Sequence, residues 1–125
     1  MSYDNGIIVD ALIQIKDAIE QIEIWSEEIT SADNYRCTPD GMKTLAATCM
    51  LLEAIGESVK KINRHTNNEF LNHACPEIPW KSIMGMRDHI AHGYFDIDDD
   101  FVFDVVNNDL DPLKKVIPKL ISHLE

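Results

Sequence analysis

Positive charge is scarce in this chain: Lys and Arg number 11 against 22 Asp and Glu, for a formal net charge of −11. A protein this acidic does not coat nucleic acid or an anionic membrane through its overall field, so any nucleic-acid contact must use a local basic groove. The same acidity favours a basic partner surface. No apolar run approaches a membrane span, and Asp4 and Asp10 stand where a cationic leader would be, so the reading is a soluble, cytoplasmic protein. Cysteine is also sparse. Cys37, Cys49 and Cys75 show no C-x-x-C spacing and cannot all pair with one another, which fits a reduced, intracellular compartment. Internal repeats, low-complexity tracts and linker-like composition shifts are missing, and no segment sustains strand alternation.

What is present is helical. Hydrophobic residues at 45% and charged residues at 26% are ordinary globular usage, which argues against disorder. With no boundary to place, residues 1–125 read as a single domain with one core. Ile8, Leu12, Ile15, Ile19, Ile22, Trp25 and Ile29 recur at helical spacing and predict an amphipathic helix over 6–31. Asp33-Asn34 makes a break. Thr38-Pro39-Asp40 then supplies an N-cap, an N1 proline and a first-turn acid for a second helix to about Arg64. That helix is apolar nearly all round between Leu45 and Leu52, as in a helix buried on more than one side, and the second cover is either this chain or another subunit.

A short turn of helix is expected over Asn67–Leu71. A further helix should run from Trp80 to Ala91 or His92 and stop at Gly93. Asp98-Asp99-Asp100 caps a helix carrying Phe101, Val102, Val105 and Val106. Asp111-Pro112 restarts the path for a last stripe of Leu113, Ile117, Leu120 and Leu124. The expected fold is all-α, an up-and-down bundle of four to five helices.

The chemistry concentrates in Arg87-Asp88-His89-Ile90-Ala91-His92-Gly93-Tyr94. Arginine offers planar, permanently charged donors suited to phosphate, and histidine moves a proton near neutral pH. Arg87 lies between Ile83 and Ile90 at spacings of four and three, so it should sit in the inward stripe of its helix. There it either pairs with a carboxylate or lines a groove ready for a phosphate. His92, five positions on, is roughly 140° around an ideal helix, so the two can flank one cleft at a helix end. Asp88 and His92, four apart, can meet, and the carboxylate would then orient the imidazole. A helix-terminal histidine serving only the macrodipole is the plainer account.

Tyr94 is either a packing aromatic or a phenol beside that cleft. His89 and His92 lack the further ligands that would complete a metal shell, so no metal and no cofactor is expected. Glu53 and Glu57 read as a solvated edge paired with Lys60 and Lys61. Lys60, Lys61, Arg64 and His65 would supply a phosphate track if they lie near Arg87 in a dimer; otherwise they compensate a helix end, as do Lys114, Lys115 and Lys119.

Arg87 and His92 with four residues between them, followed by Gly93-Tyr94, resemble the HEPN superfamily and within it the HepT-like toxins. The likeness is close from Ile78 to about Val116, through Ile78-Pro79-Trp80, Ile83-Met84-Gly85-Met86-Arg87-Asp88, His92-Gly93-Tyr94, Ile97-Asp98 and Asp109-Leu110. Leu52-Glu53-Ala54-Ile55-Gly56-Glu57 is similar to the family's second helix, whereas the first forty residues agree only in helical character. Many HEPN ribonucleases carry Asn after the motif arginine, where this chain has Asp88.

The resemblance implies an all-α homodimer with the Arg87 and His92 motifs of two subunits facing each other. It implies a metal-independent endoribonuclease acting on RNA, transfer or messenger, and not on DNA. It further implies the toxin of a type VII toxin–antitoxin pair, whose partner is an MntA-like nucleotidyltransferase that transfers AMP to Tyr94. The alternative on the same scaffold is a non-catalytic module that binds a nucleotide or a partner through Arg87.

Overall fold

The computed structural model describes residues 3–90 and 96–125. Among these, the chain forms eight helices: α1 (Asn5–Trp25), α2 (Asp33–Cys37), α3 (Pro39–His65), α4 (Phe70–Ala74), α5 (Trp80–Met84), α6 (Met86–Ile90), α7 (Asp99–Asn108) and α8 (Leu110–Leu124). The expected all-α class holds, and α1, α3, α7 and α8 are the long members of the bundle. No helix among the described residues is long and apolar enough to cross a membrane.

The helix α3 is the axis of the fold. It packs against α1, α2, α4, α5, α6 and α7, while α8 closes the far side of α1 and α7. Its start follows from the sequence: the Thr38 hydroxyl accepts from the Gly41 amide at 2.9 Å, and Pro39 fills the first turn. Leu52, Ile55, Val59 and Ile62 of α3 meet Ile8, Leu12, Ile15, Ile19 and Ile22 of α1 in one continuous buried cluster. Burial of that apolar area is the main drive to fold.

Several boundaries differ from the expected ones for local reasons. The helix α1 ends at Trp25 and does not reach residue 31. Downstream, the Asn34 side-chain oxygen accepts from the Thr30 amide, the Thr30 hydroxyl and the Ser31 amide at 2.7, 3.1 and 3.2 Å. That side chain offers the backbone an alternative to the helix ladder, and Glu27 and Glu28 would oppose the dipole of a longer helix. The expected break at Asp33-Asn34 is instead the single turn α2, which buries Tyr35 completely.

Asn67 and Asn68 have φ of 55° and 61°, a left-handed conformation that asparagine tolerates but a helix cannot use. The short helix expected from Asn67 therefore starts at Phe70. Asp98 caps α7 as expected, accepting from the Phe101 amide at 3.0 Å. The last helix begins one residue ahead of Asp111, with Pro112 in its first turn and Pro118 within it.

Candidate active site

The segment expected as one helix from Trp80 divides at Gly85 into α5 and α6. It is held against α3 by two local devices. The Trp80 indole donates to the Cys75 carbonyl at 2.9 Å with the ring buried. Gly56 of α3 faces the backbone of α5 so closely that a Cβ there would stand 2.7 Å from the Ile83 carbonyl oxygen. Glycine thus sets the distance between α3 and α5, and with it the placement of α6.

Arg87 does not take the inward position that its spacing from Ile83 and Ile90 suggested. Ile83, Met86 and Ile90 are buried, whereas the Arg87 side chain is 78% exposed. Residues 86 and 87 compete for one place on the stripe, and the apolar one wins because an arginine charge is costly to desolvate. Glu53 is the carboxylate nearest to Arg87 in the described structure, with its Oε1 3.9 Å from Nε. At that separation, with both groups reached by water, the pair is loose. Glu53 was read as a solvated partner for lysine. Its one useful signal was its place on α3 three residues before Gly56, opposite the start of α6.

Asp88 and His89 are exposed. The His89 ring stacks on Phe101 of α7, with centroids 5.5 Å apart and planes at 28°. His92 and Tyr94 lie outside the described residues, as does the expected helix stop at Gly93. The flanks of that span are fixed to each other: the Asp98 amide donates to the Ile90 carbonyl at 2.8 Å.

The other candidate groups divide by their partners. Glu57 pairs with Lys60 at 3.2 Å, as expected of a solvated edge. Lys114 reaches Glu23 and Lys115 reaches Asp111, each at 2.8 Å. Asp98, Asp99 and Asp100 bring carboxylate oxygens within 4.8 Å of one another. Asp98 is occupied as a cap, while Arg36 binds Asp99 at 3.1 Å and approaches Asp100 at 3.7 Å.

Burial pushes the Cys49 thiol up to about 11, with the nearby Glu53 charge adding to it. It therefore stays protonated and is a poor nucleophile. Burial likewise pushes the Tyr35 phenol up to about 12, assisted by Cys49 and Asp99. Neither group belongs to the Arg87 surface.

The outer face of α3 carries a second feature. Met42 and Met50 are 59% and 60% exposed, and Ala46 lies between them one turn from each. The apolar character between Leu45 and Leu52 is thus only half covered by this chain. Continued along the same helix, the bare stripe leads to Glu53 and so to Arg87.

Comparison with known proteins gives a consistent result. The family model described as "Ribonuclease HepT-like" matches residues 15–120. A "Probable ribonuclease HepT" from Thermococcus cleftensis is 38% identical over 111 residues, covering 89% of this chain and 93% of that protein. A "Putative RNase MJ0127" from Methanocaldococcus jannaschii is 34% identical over 121 residues, covering 97% of this chain and 89% of the relative. No solved structure matches the chain.

Proposed function

This chain belongs to the HepT-like ribonuclease family of the HEPN superfamily, and from that premise we propose that it is a metal-independent endoribonuclease, the toxin of a type VII toxin–antitoxin pair. The observation that carries the reading is the state of Arg87. A structural arginine is tied to carboxylates, but this one projects into solvent with one loose partner among the described residues. Such a guanidinium is free to take a phosphate in bidentate fashion.

Two subunits would meet along the Met42–Met50 stripe, which a single chain leaves bare. RNA would enter between the two Arg87 surfaces. His92, neutral at the start, takes the proton from a ribose 2′-hydroxyl, and that oxygen attacks the adjacent phosphorus. Arg87 stabilises the charge that builds on the phosphoryl oxygens, where fixed donors act most strongly. Asp88 orients His92 or contacts the ribose. The partner subunit's His92 protonates the leaving 5′-oxygen, so one bond to phosphorus forms as another breaks. The products are a 2′,3′-cyclic phosphate and a 5′-hydroxyl. DNA lacks the nucleophile and is not a substrate.

Tyr94 is the proposed acceptor of AMP from an MntA-like nucleotidyltransferase antitoxin. The added phosphate and nucleoside would occupy Arg87 and block RNA by charge and bulk. The test is incubation of transfer or messenger RNA, and of matched DNA, with the purified unmodified protein in the presence of a chelator. Cleavage of RNA alone, with cyclic phosphate ends, and its loss in Arg87→Ala and His92→Ala support the reading. Equal cleavage of DNA rules out the 2′-hydroxyl scheme. RNA binding without cleavage makes the chain a non-catalytic module.

A further inference from the structure

A cleft of about 470 Å³ opens between α5–α6 on one side and α7–α8 on the other, floored by Leu52 and Ile55 of α3. Its walls are apolar, with Ile83, Met86, Val105 and Leu113 among them. The volume is in the range of a pocket that encloses a ligand or a large side chain. The mouth is different. Glu77 and Asp109 stand on it beside Ser82 and His89, and no lysine or arginine lines it among the described residues.

Among the described residues, no ion pair engages Glu77, Asp104 or Asp109. Partial burial raises the Asp109 pKa, and the neighbouring Asp104 raises it further. On α8, Lys114 is engaged with Glu23 and Lys115 with Asp111, while Lys119 acts on the buried Cys75. At the other end of α7, by contrast, Arg36 meets Asp99 and Asp100. An apolar cavity with an acidic rim held in no ion pair among the described residues selects for an occupant that is apolar in the middle and cationic at the edge.

We infer that this cleft is a docking site for a partner protein, which inserts a large apolar side chain while a flanking arginine or lysine meets Asp109 at the mouth and the Asp104 beside it. RNA fits the rim poorly, because each phosphate would face the same carboxylates. A second copy of this chain also fits poorly, since its net charge of −11 places more acid than base against the rim. The inference is independent of whether the chain cleaves RNA.

The test uses the isotope-labelled full chain, followed by amide NMR, with a short synthetic peptide of leucine and arginine at helical spacing as probe. The same peptide with glutamate for arginine, and an oligoadenylate RNA, are the comparisons. The arginine peptide should move the signals of Ser82, Val105 and Leu113. Its affinity should fall roughly tenfold or more in the D104N/D109N double variant, a loss of about 1.4 kcal/mol. The near-isosteric double change spares the fold, and Ser82→Trp at the exposed rim should block the cleft independently. The inference is overturned if the arginine peptide leaves those signals unmoved, or if the glutamate peptide binds equally well. It is also overturned if D104N/D109N binds like the parent, if the RNA moves the same signals, or if the signals shift with protein concentration alone.

Discussion

Arg36 and Arg87 both sit on five-residue helices, yet their surroundings differ completely. Arg36 on α2 reaches Asp33 at 2.8 Å, Asp99 at 3.1 Å and Asp100 at 3.7 Å, and so ties α2 to the start of α7. Arg87 on α6 has Glu53 at 3.9 Å and keeps 78% of its side chain in water. In a chain with twice as many acids as bases, the two arginines differ in how many carboxylates surround them. The contrast separates an arginine that holds the fold from one that is available to an anion. Burial does not make that separation, because both side chains are substantially exposed; the carboxylates around them do.

The largest expected effect tests the contrast directly. Arg87→Ala should lower RNA cleavage by about 10²–10³-fold, the scale for removing a donor that faces developing charge. Its thermal midpoint should hardly move. Arg36→Ala should show the reverse, with a parental cleavage rate and a stability loss of about 1 kcal/mol or less, since its partners are largely solvated. Cleavage rates and melting curves on the same preparations decide it. If Arg36→Ala abolishes cleavage, or Arg87→Ala melts the protein, the division of roles is wrong.

The outer face of α3 gives the next test. Met42→Glu with Met50→Glu puts like charges on the stripe proposed as the subunit contact, where they would face each other across a two-fold interface. Sedimentation should show monomers, and cleavage should fall along with the dimer although Arg87 is untouched. An unchanged dimer would move the contact to another surface and detach Arg87 from it.

Gly56→Ala tests how firmly the Arg87 helix is set. The added methyl meets the Ile83 backbone carbonyl, not a flexible side-chain tip, so α5 must shift. Overpacking of this kind costs about 1–3 kcal/mol. Cleavage should also fall, because α6 follows α5. The Arg36 end should keep its contacts, which amide shifts of α2 and α7 would report.

Much of this was legible from residue pattern alone. The α3 start, the Asp98 cap and the isoleucine stripe of α1 were all readable, because each rests on local chemistry within one or two turns. The end of α1 was not, since it depends on one Asn34 side chain reaching back to Thr30 and Ser31. Nor was the outward turn of Arg87. Helical spacing cannot say which of two adjacent positions a core will accept, and here Met86 displaced the arginine. The Glu53 neighbour comes from a different helix, a long-range pairing that periodicity does not carry. His92 and Tyr94, which the motif makes central, remain assigned by sequence resemblance.

The smallest effect concerns two carboxylates on either side of Leu110 and carries the cation contrast down to single charges. Asp111 is held below its ordinary 3.8 by its hydrogen bond to Lys115, whereas partial burial and then Asp104 push Asp109 above 3.8. The signs are therefore opposite. A depressed folded pKa adds stability above 3.8 that is lost as pH falls through the folded value; a raised one subtracts stability at neutral pH, and the deficit disappears as pH falls toward 3.8. Asp111→Asn should thus lower the melting temperature at pH 7, and Asp109→Asn should raise it, each by a small amount because both groups are exposed. Below about pH 3 the differences should vanish, since each carboxyl is then largely protonated in the folded and the unfolded chain. A rise at pH 7 for Asp109→Asn would show that the α7–α8 corner holds negative charge with no cation of its own. A fall would mean that Asp109 already has a partner, and the corner would then resemble the Arg36 end.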